Sequence, residues 1–164
     1  MTSTPTASYP ILKAILVGGL VAGILDITYA ITAYGLIGVP ARAILQSIAS
    51  GWLGKAAYSG GWPVAVLGLA SHLFITCVMA GIFVAAAHRV SLLRNQPLLS
   101  GMIFGLCAFV TMNYVVVPLS VAAVRPPRGV FLAGDLLSHM FLVGVPIAFA
   151  ARRALFARSG DANG

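Results

Sequence analysis

Hydrophobic residues in this chain gather into four long runs, at residues 11–36, 63–87, 99–123 and 131–151. None of the runs alternates apolar and polar positions as a half-buried strand does. Nor do they show the one-sided stripe of a helix lying on a soluble core. Each is apolar on every face and holds about the twenty residues a helix needs to cross a hydrocarbon layer. The breaks between them fall at Gly38-Val39-Pro40, from Arg89 to Pro97, and at Arg125-Pro126-Pro127-Arg128. Charge and helix breakers meet at these points, which is the punctuation expected between spans. The pattern predicts an all-α membrane protein, a four-transmembrane-helix bundle filling residues 11–151. A short polar tail precedes it at 1–10, and a basic then polar tail follows at 152–164.

The segment from Pro40 to Lys55 is too polar to span. Ile44, Ile48 and Trp52 recur every four residues with Leu45 beside them, while Arg42, Gln46 and Ser50 fall on another face. That period predicts a short amphipathic helix after the first span, started by Pro40 and lying along the membrane surface. A re-entrant turn is the competing arrangement.

The two halves of the chain look alike. The second and fourth runs carry Ser71-His72-Leu73-Phe74 and Ser138-His139-Met140-Phe141. The first and third each carry a GxxxG, Gly19 with Gly23 and Gly101 with Gly105. Such glycines let helix backbones approach closely, and packing inside one chain is the simpler use of them than a dimer interface. A glycine-notched helix followed by a His-bearing helix, twice over, reads as two parallel two-helix repeats.

Composition supports a bilayer as the solvent. Residues are 60% hydrophobic and 8% charged, with mean hydropathy +1.00; soluble domains carry roughly a quarter charged residues. The net charge of +7 does not point to nucleic acid, because the ten Lys and Arg are scattered between apolar runs. They serve instead to orient the chain. Lys13, Arg89, Arg94, Arg152, Arg153 and Arg158 fall on the side of the termini; Arg42, Lys55, Arg125 and Arg128 fall on the other. Positive-inside counting favours cytoplasmic termini and places Trp52, Tyr58 and Trp62 near the outer interface. The first ten residues contain no Lys or Arg, and the run after Lys13 is too long for a signal peptide, so the first span reads as retained. Cys77 and Cys107 stand in different runs without ligand-type spacing and read as small buried hydrophobes.

The informative residues are the polar ones inside the spans. A carboxylate at a helix centre costs about 2.5–3.5 kcal/mol on insertion scales, so it is usually turned inward, paired and functional. Asp26, His72, Asn113, Tyr114, Asp135 and His139 all fall in the same half of the predicted membrane. Asp135 and His139, four apart, share a helix face. Polar residues can also act simply as interhelical glue, at about 0.6–2 kcal/mol per contact. Two His and two Asp at one depth favour proton or small-solute passage, or an acid- or envelope-stress response. An accessory subunit or scaffold is the other class. A lesser alternative is haem b held between His72 and His139. Ala133-Gly134-Asp135 is half of an intramembrane protease motif, and no complete catalytic motif is present. The reading is therefore of a non-enzyme without cofactor or metal, whose partners are the lipid bilayer, a proton or small solute, and further copies of itself.

At Gly-Leu-Val-Ala-Gly (19–23), the SHLF tetrapeptide, Asp135-Leu-Leu-Ser-His139, Gln46 to Gly51 and Met112 to Pro118, the chain resembles small bacterial inner-membrane proteins of the YagU-like group. The resemblance runs over most of the chain. It implies a bacterial inner-membrane location and a fourth span bearing an acid and a histidine.

Overall fold

The structure, a computed structural model, describes residues 9–122, 124 and 127–161, and the regular structure among them is all helical. Expectations for residues 1–8 and 162–164, for Ala123 and for the Arg125-Pro126 part of the third break lie outside the described residues. Helix α1 is Tyr9–Gly35 and α2 is Ala41–Leu53; a tight turn at Gly54–Ser59 leads into α3, Gly61–Arg89. The short α4, Ser91–Asn95, precedes α5, Pro97–Leu119, and α6 starts at Val130 and continues to Asp161. Four of these helices, α1, α3, α5 and α6, are long and apolar enough to cross a membrane.

Two boundaries differ from the sequence reading. The third run stops at Leu119 rather than 123, because Ser120 turns extended and its hydroxyl accepts the Ala122 N–H. The fourth does not stop at 151. Residues 152–161, expected as a tail, extend α6, and Ala154 and Leu155 are buried there. Ala, Leu and Arg are strong helix formers, and neither Gly nor Pro interrupts the stretch before Gly160.

Small residues hold the bundle together. α1 packs on α3 and α6, and α5 packs on α6. A Cβ at Gly19 would stand 2.5 Å from the Cys77 Cα on α3, and one at Gly23 would strike Thr76 and Leu73. On the other side, Gly101 faces the Gly144 carbonyl and Gly105 faces the His139 carbonyl on α6. In each half the glycine pair therefore seats its helix on the His-bearing helix. Ala22, Ala80, Ala87 and Ala148 fill the middle with Phe83 and Ile147, and Phe83 meets Phe104 edge to face at 5.1 Å. The large apolar side chains mostly point outward, among them Leu16, Ile24, Phe74, Ile82, Ile103 and Leu137.

α5 and α6 each contain one wide π-helical turn, Met112–Val116 and His139–Gly144. Each ends two residues before a proline, Pro118 and Pro146. A proline lacks its N–H and its ring crowds the carbonyl four residues back, here Tyr114 and Leu142. Widening the preceding turn relieves that clash, and such turns recur at functional sites.

α2 is a helix as expected, but its faces divide otherwise. Gln46 and Ser50, assigned to the polar face, are buried with Ile44, Leu45 and Ala49 against α3. The Leu45 carbonyl sits on Gly68, and the Gln46 amide donates to the Gly61 carbonyl at 2.9 Å. Seven residues into α3 is about 10 Å at the helical rise, so α2 crosses α3 well inside its end. Gly51 and Gly54 lie near Ser120 and Val121, so α2 bridges to the end of α5.

Candidate functional site

Asp26 stands on the inner face of α1 and is 9% exposed. Three helices meet at its carboxylate. Ser138 of α6 donates a 2.6 Å hydrogen bond to Oδ1. The His139 Nδ1 lies 3.6 Å from the same oxygen, and the His72 Nε2 of α3 lies 3.9 Å from Oδ2. These last two are electrostatic contacts, beyond hydrogen-bond length.

The surroundings decide which ring nitrogens carry protons. His72 Nε2 faces the Gly23 carbonyl at 3.0 Å as well as Asp26. His139 Nδ1 faces the Asp135 backbone carbonyl at 2.9 Å as well as Asp26. All four neighbours are acceptors, so the neutral imidazoles are protonated at His72 Nε2 and His139 Nδ1. That leaves His72 Nδ1 and His139 Nε2 able to take up a proton, and either imidazolium would stand beside the Asp26 carboxylate. The His139 ring is held edge to face against Phe109, at 5.4 Å.

Asp135 and His139 share a face, but their side chains take different partners. The imidazole turns to the backbone carbonyl one helical turn back, and the Asp135 carboxylate turns to α1. Its Oδ2 accepts a 2.7 Å hydrogen bond from Tyr34, whose ring stacks on Phe131 at 4.8 Å. Oδ1 is buried with no hydrogen-bond partner among the described residues. The Tyr29 hydroxyl packs against neighbouring Gly134 and also donates toward the Asp135 carboxylate.

Five of the six polar residues singled out in the sequence, Asp26, His72, Asn113, Asp135 and His139, line one cavity of about 920 Å³. Asn113 donates to the Phe109 carbonyl of its own helix at 3.1 Å. Tyr114 does not belong to the group: it is 55% exposed and faces outward. Asn113 and Tyr114 both stand in the wide turn of α5, and of the two only Asn113 lines the cavity. The cavity runs from the cluster to α2 and the loop after α5, with Ser47, Ile48, Trp52 and Tyr58 in its wall. Phe83 and Phe104, packed edge to face in the core, are not among the residues that line it. A separate hollow of about 510 Å³ between α1 and α6 holds Lys13 and Arg153 and shares no residue with the cluster.

Tyr29, Tyr34 and Ser138 were not singled out from the sequence. The signal for the tyrosines is helical spacing: three and eight residues after Asp26 return to its face. Ser138 adjoins His139 in the repeated tetrapeptide. Among the described residues no group of three or more His, Cys, Asp or Glu could hold a metal ion. His72 Nε2 and His139 Nδ1 both turn to Asp26, so a haem iron ligated through those nitrogens would have to displace the carboxylate. No family model, no curated protein and no solved structure matches the chain.

Proposed function

We propose that this chain is a multi-pass protein of the bacterial inner membrane whose Asp26, His72 and His139 bind and relay a proton for passage through the bundle. The observation that carries the reading is one buried carboxylate between two imidazoles in the wall of a cavity. Imidazole exchanges protons near neutral pH, and a nearby carboxylate stabilises the imidazolium. The outward-facing Leu, Ile and Phe side chains and the small-residue interior support a lipid solvent. The excess of Lys and Arg beside the termini supports cytoplasmic ends.

In this mechanism a proton enters from the α2 end and is taken at the free nitrogen of His139 or His72. Asp26 offsets its charge. Onward passage requires the Phe83–Phe104 contact to part, and the wide turns of α5 and α6 are places where those helices can bend. Reconstituted vesicles with a trapped pH-sensitive dye test this under an imposed gradient. Wild-type protein should dissipate the gradient, and Asp26→Asn should return the rate to that of empty vesicles. Equal rates for wild type and Asp26→Asn would remove the relay.

A packing scaffold is the second reading, and one observation favours it: Ser138 ties α6 to Asp26, and His72 ties α3 to the Gly23 carbonyl. A scaffold predicts no flux above empty vesicles for wild type, with variants of these residues lowering melting temperature or partner recovery.

A further inference from the structure

Acid and base are unevenly placed in this molecule. The chain has ten Lys and Arg against three acidic residues. Two of the three acids, Asp26 and Asp135, stand in the wall of the large cavity, and among the described residues no Lys or Arg does. Low-dielectric walls focus the field of those carboxylates, so the interior favours cations despite the net positive chain.

Two features narrow the kind of cation. The Asp135 carboxylate stands in the wall with two neutral phenols against it, Tyr34 on Oδ2 and Tyr29 beside it. Neutral donors leave the charge of the carboxylate unmatched, and an N–H donor carrying positive charge would match it. Apolar residues also line the cavity, among them Ile48, Met79, Met112 and Val116. Methionine adapts to irregular apolar bodies, and the nearby rings of Trp52 and Tyr58 attract cations. A volume of about 920 Å³ is that of a small-molecule site and far exceeds the need of a proton or bare ion.

We infer that the cavity binds a lipophilic organic cation, an ammonium on a hydrocarbon or aromatic body, with its N–H directed to the Asp135 carboxylate and its body against the wall of α2, α3 and α5. The assignment deepens the proposed function and rests on reading this cavity as a working site. The cation is the solute whose passage the proton at Asp26, His72 and His139 accompanies. His139 joins the two positions, since its Nδ1 touches the Asp135 backbone and faces Asp26.

The test is fluorescence titration with dansylcadaverine, a primary ammonium, and with its neutral N-acetyl derivative. The protein is held in nanodiscs of zwitterionic lipid. Wild type should bind dansylcadaverine saturably. Acetylation of the probe, or Asp135→Asn, should each weaken binding on the order of ten-fold or more, the loss of one charge-assisted hydrogen bond. Ser47→Phe keeps Asp135 and fills the cavity from α2, and should abolish saturation. Elution volume and helical circular dichroism show that each variant is folded. Equal binding of both probes, unchanged binding in Asp135→Asn, or no saturable binding to folded wild type would each overturn the site. The dye assay of proton movement separates the two ideas. Proton movement without amine binding overturns the cation site alone, whereas saturable amine binding without proton movement overturns the relay alone.

Discussion

Ser138 on α6 and Asp26 on α1, 112 positions apart in sequence, meet in a 2.6 Å hydrogen bond in the buried centre of the bundle. A hydroxyl donating to a carboxylate is short and strong, and here it also pins the oxygen that His139 faces. Interhelical hydrogen bonds among membrane-type helices average about 0.6 kcal/mol and reach about 1.7. A charged acceptor places this one toward the upper end. Ser138→Ala should therefore destabilise the protein by about 1–2 kcal/mol, read as a lower melting temperature in detergent. An unchanged melting temperature would mean that the bond does not hold α1 to α6.

The imidazoles should matter for proton transfer more than for the fold. His72→Gln and His139→Gln keep an N–H donor for the Gly23 and Asp135 carbonyls but have no second ring nitrogen to take up a proton. Both variants should elute and melt close to wild type and lose dye-detected proton passage. Retained flux in the double variant would show that neither ring carries the proton.

Gly105 faces backbone, not a flexible side chain, so nothing there can yield cheaply. Gly105→Leu should force α5 off α6 at the His139 carbonyl and cost about 1–3 kcal/mol or more, the usual range for overpacking. Gly35→Ala meets open space at the end of α1 and should be neutral within about 0.5 kcal/mol. Parallel melting curves of the two variants decide this; equal effects would disprove the close α5–α6 seat.

Tyr114 and Asn113 are adjacent in sequence and should separate in function. Tyr114→Leu replaces an outward phenol and should leave flux and melting temperature unchanged. Asn113→Leu removes an amide from the cavity wall and should lower flux. If Tyr114→Leu were the damaging change, the assignment of faces on α5 would be reversed.

Most of the fold was legible because it rests on local quantities. A run of twenty apolar residues is a helix candidate wherever it packs, and the four runs match the four long helices to within a few residues at most ends. The exceptions were the start of the loop after α5 and the continuation of α6. Both are set by capping and propensity within an otherwise apolar or basic stretch. The wide turns were foreshadowed by Pro118 and Pro146, whose ring clash falls in a known preceding turn, though no periodicity marks them.

The site divides along a similar line. Sequence by itself put Asp26, His72, Asp135 and His139 in the same half of their spans, since position along each helix is counted by its rise. It also placed the glycines where backbones approach. Only the tertiary structure decided which partner each polar group takes: Ser138 on Asp26, Tyr34 on Asp135, a backbone carbonyl on the His139 ring. Those pairings depend on how each helix is rotated about its axis. In spans apolar on every side no amphipathic stripe specifies that rotation. It is set by which glycine seats on which backbone, and so by contacts between segments more than a hundred residues apart.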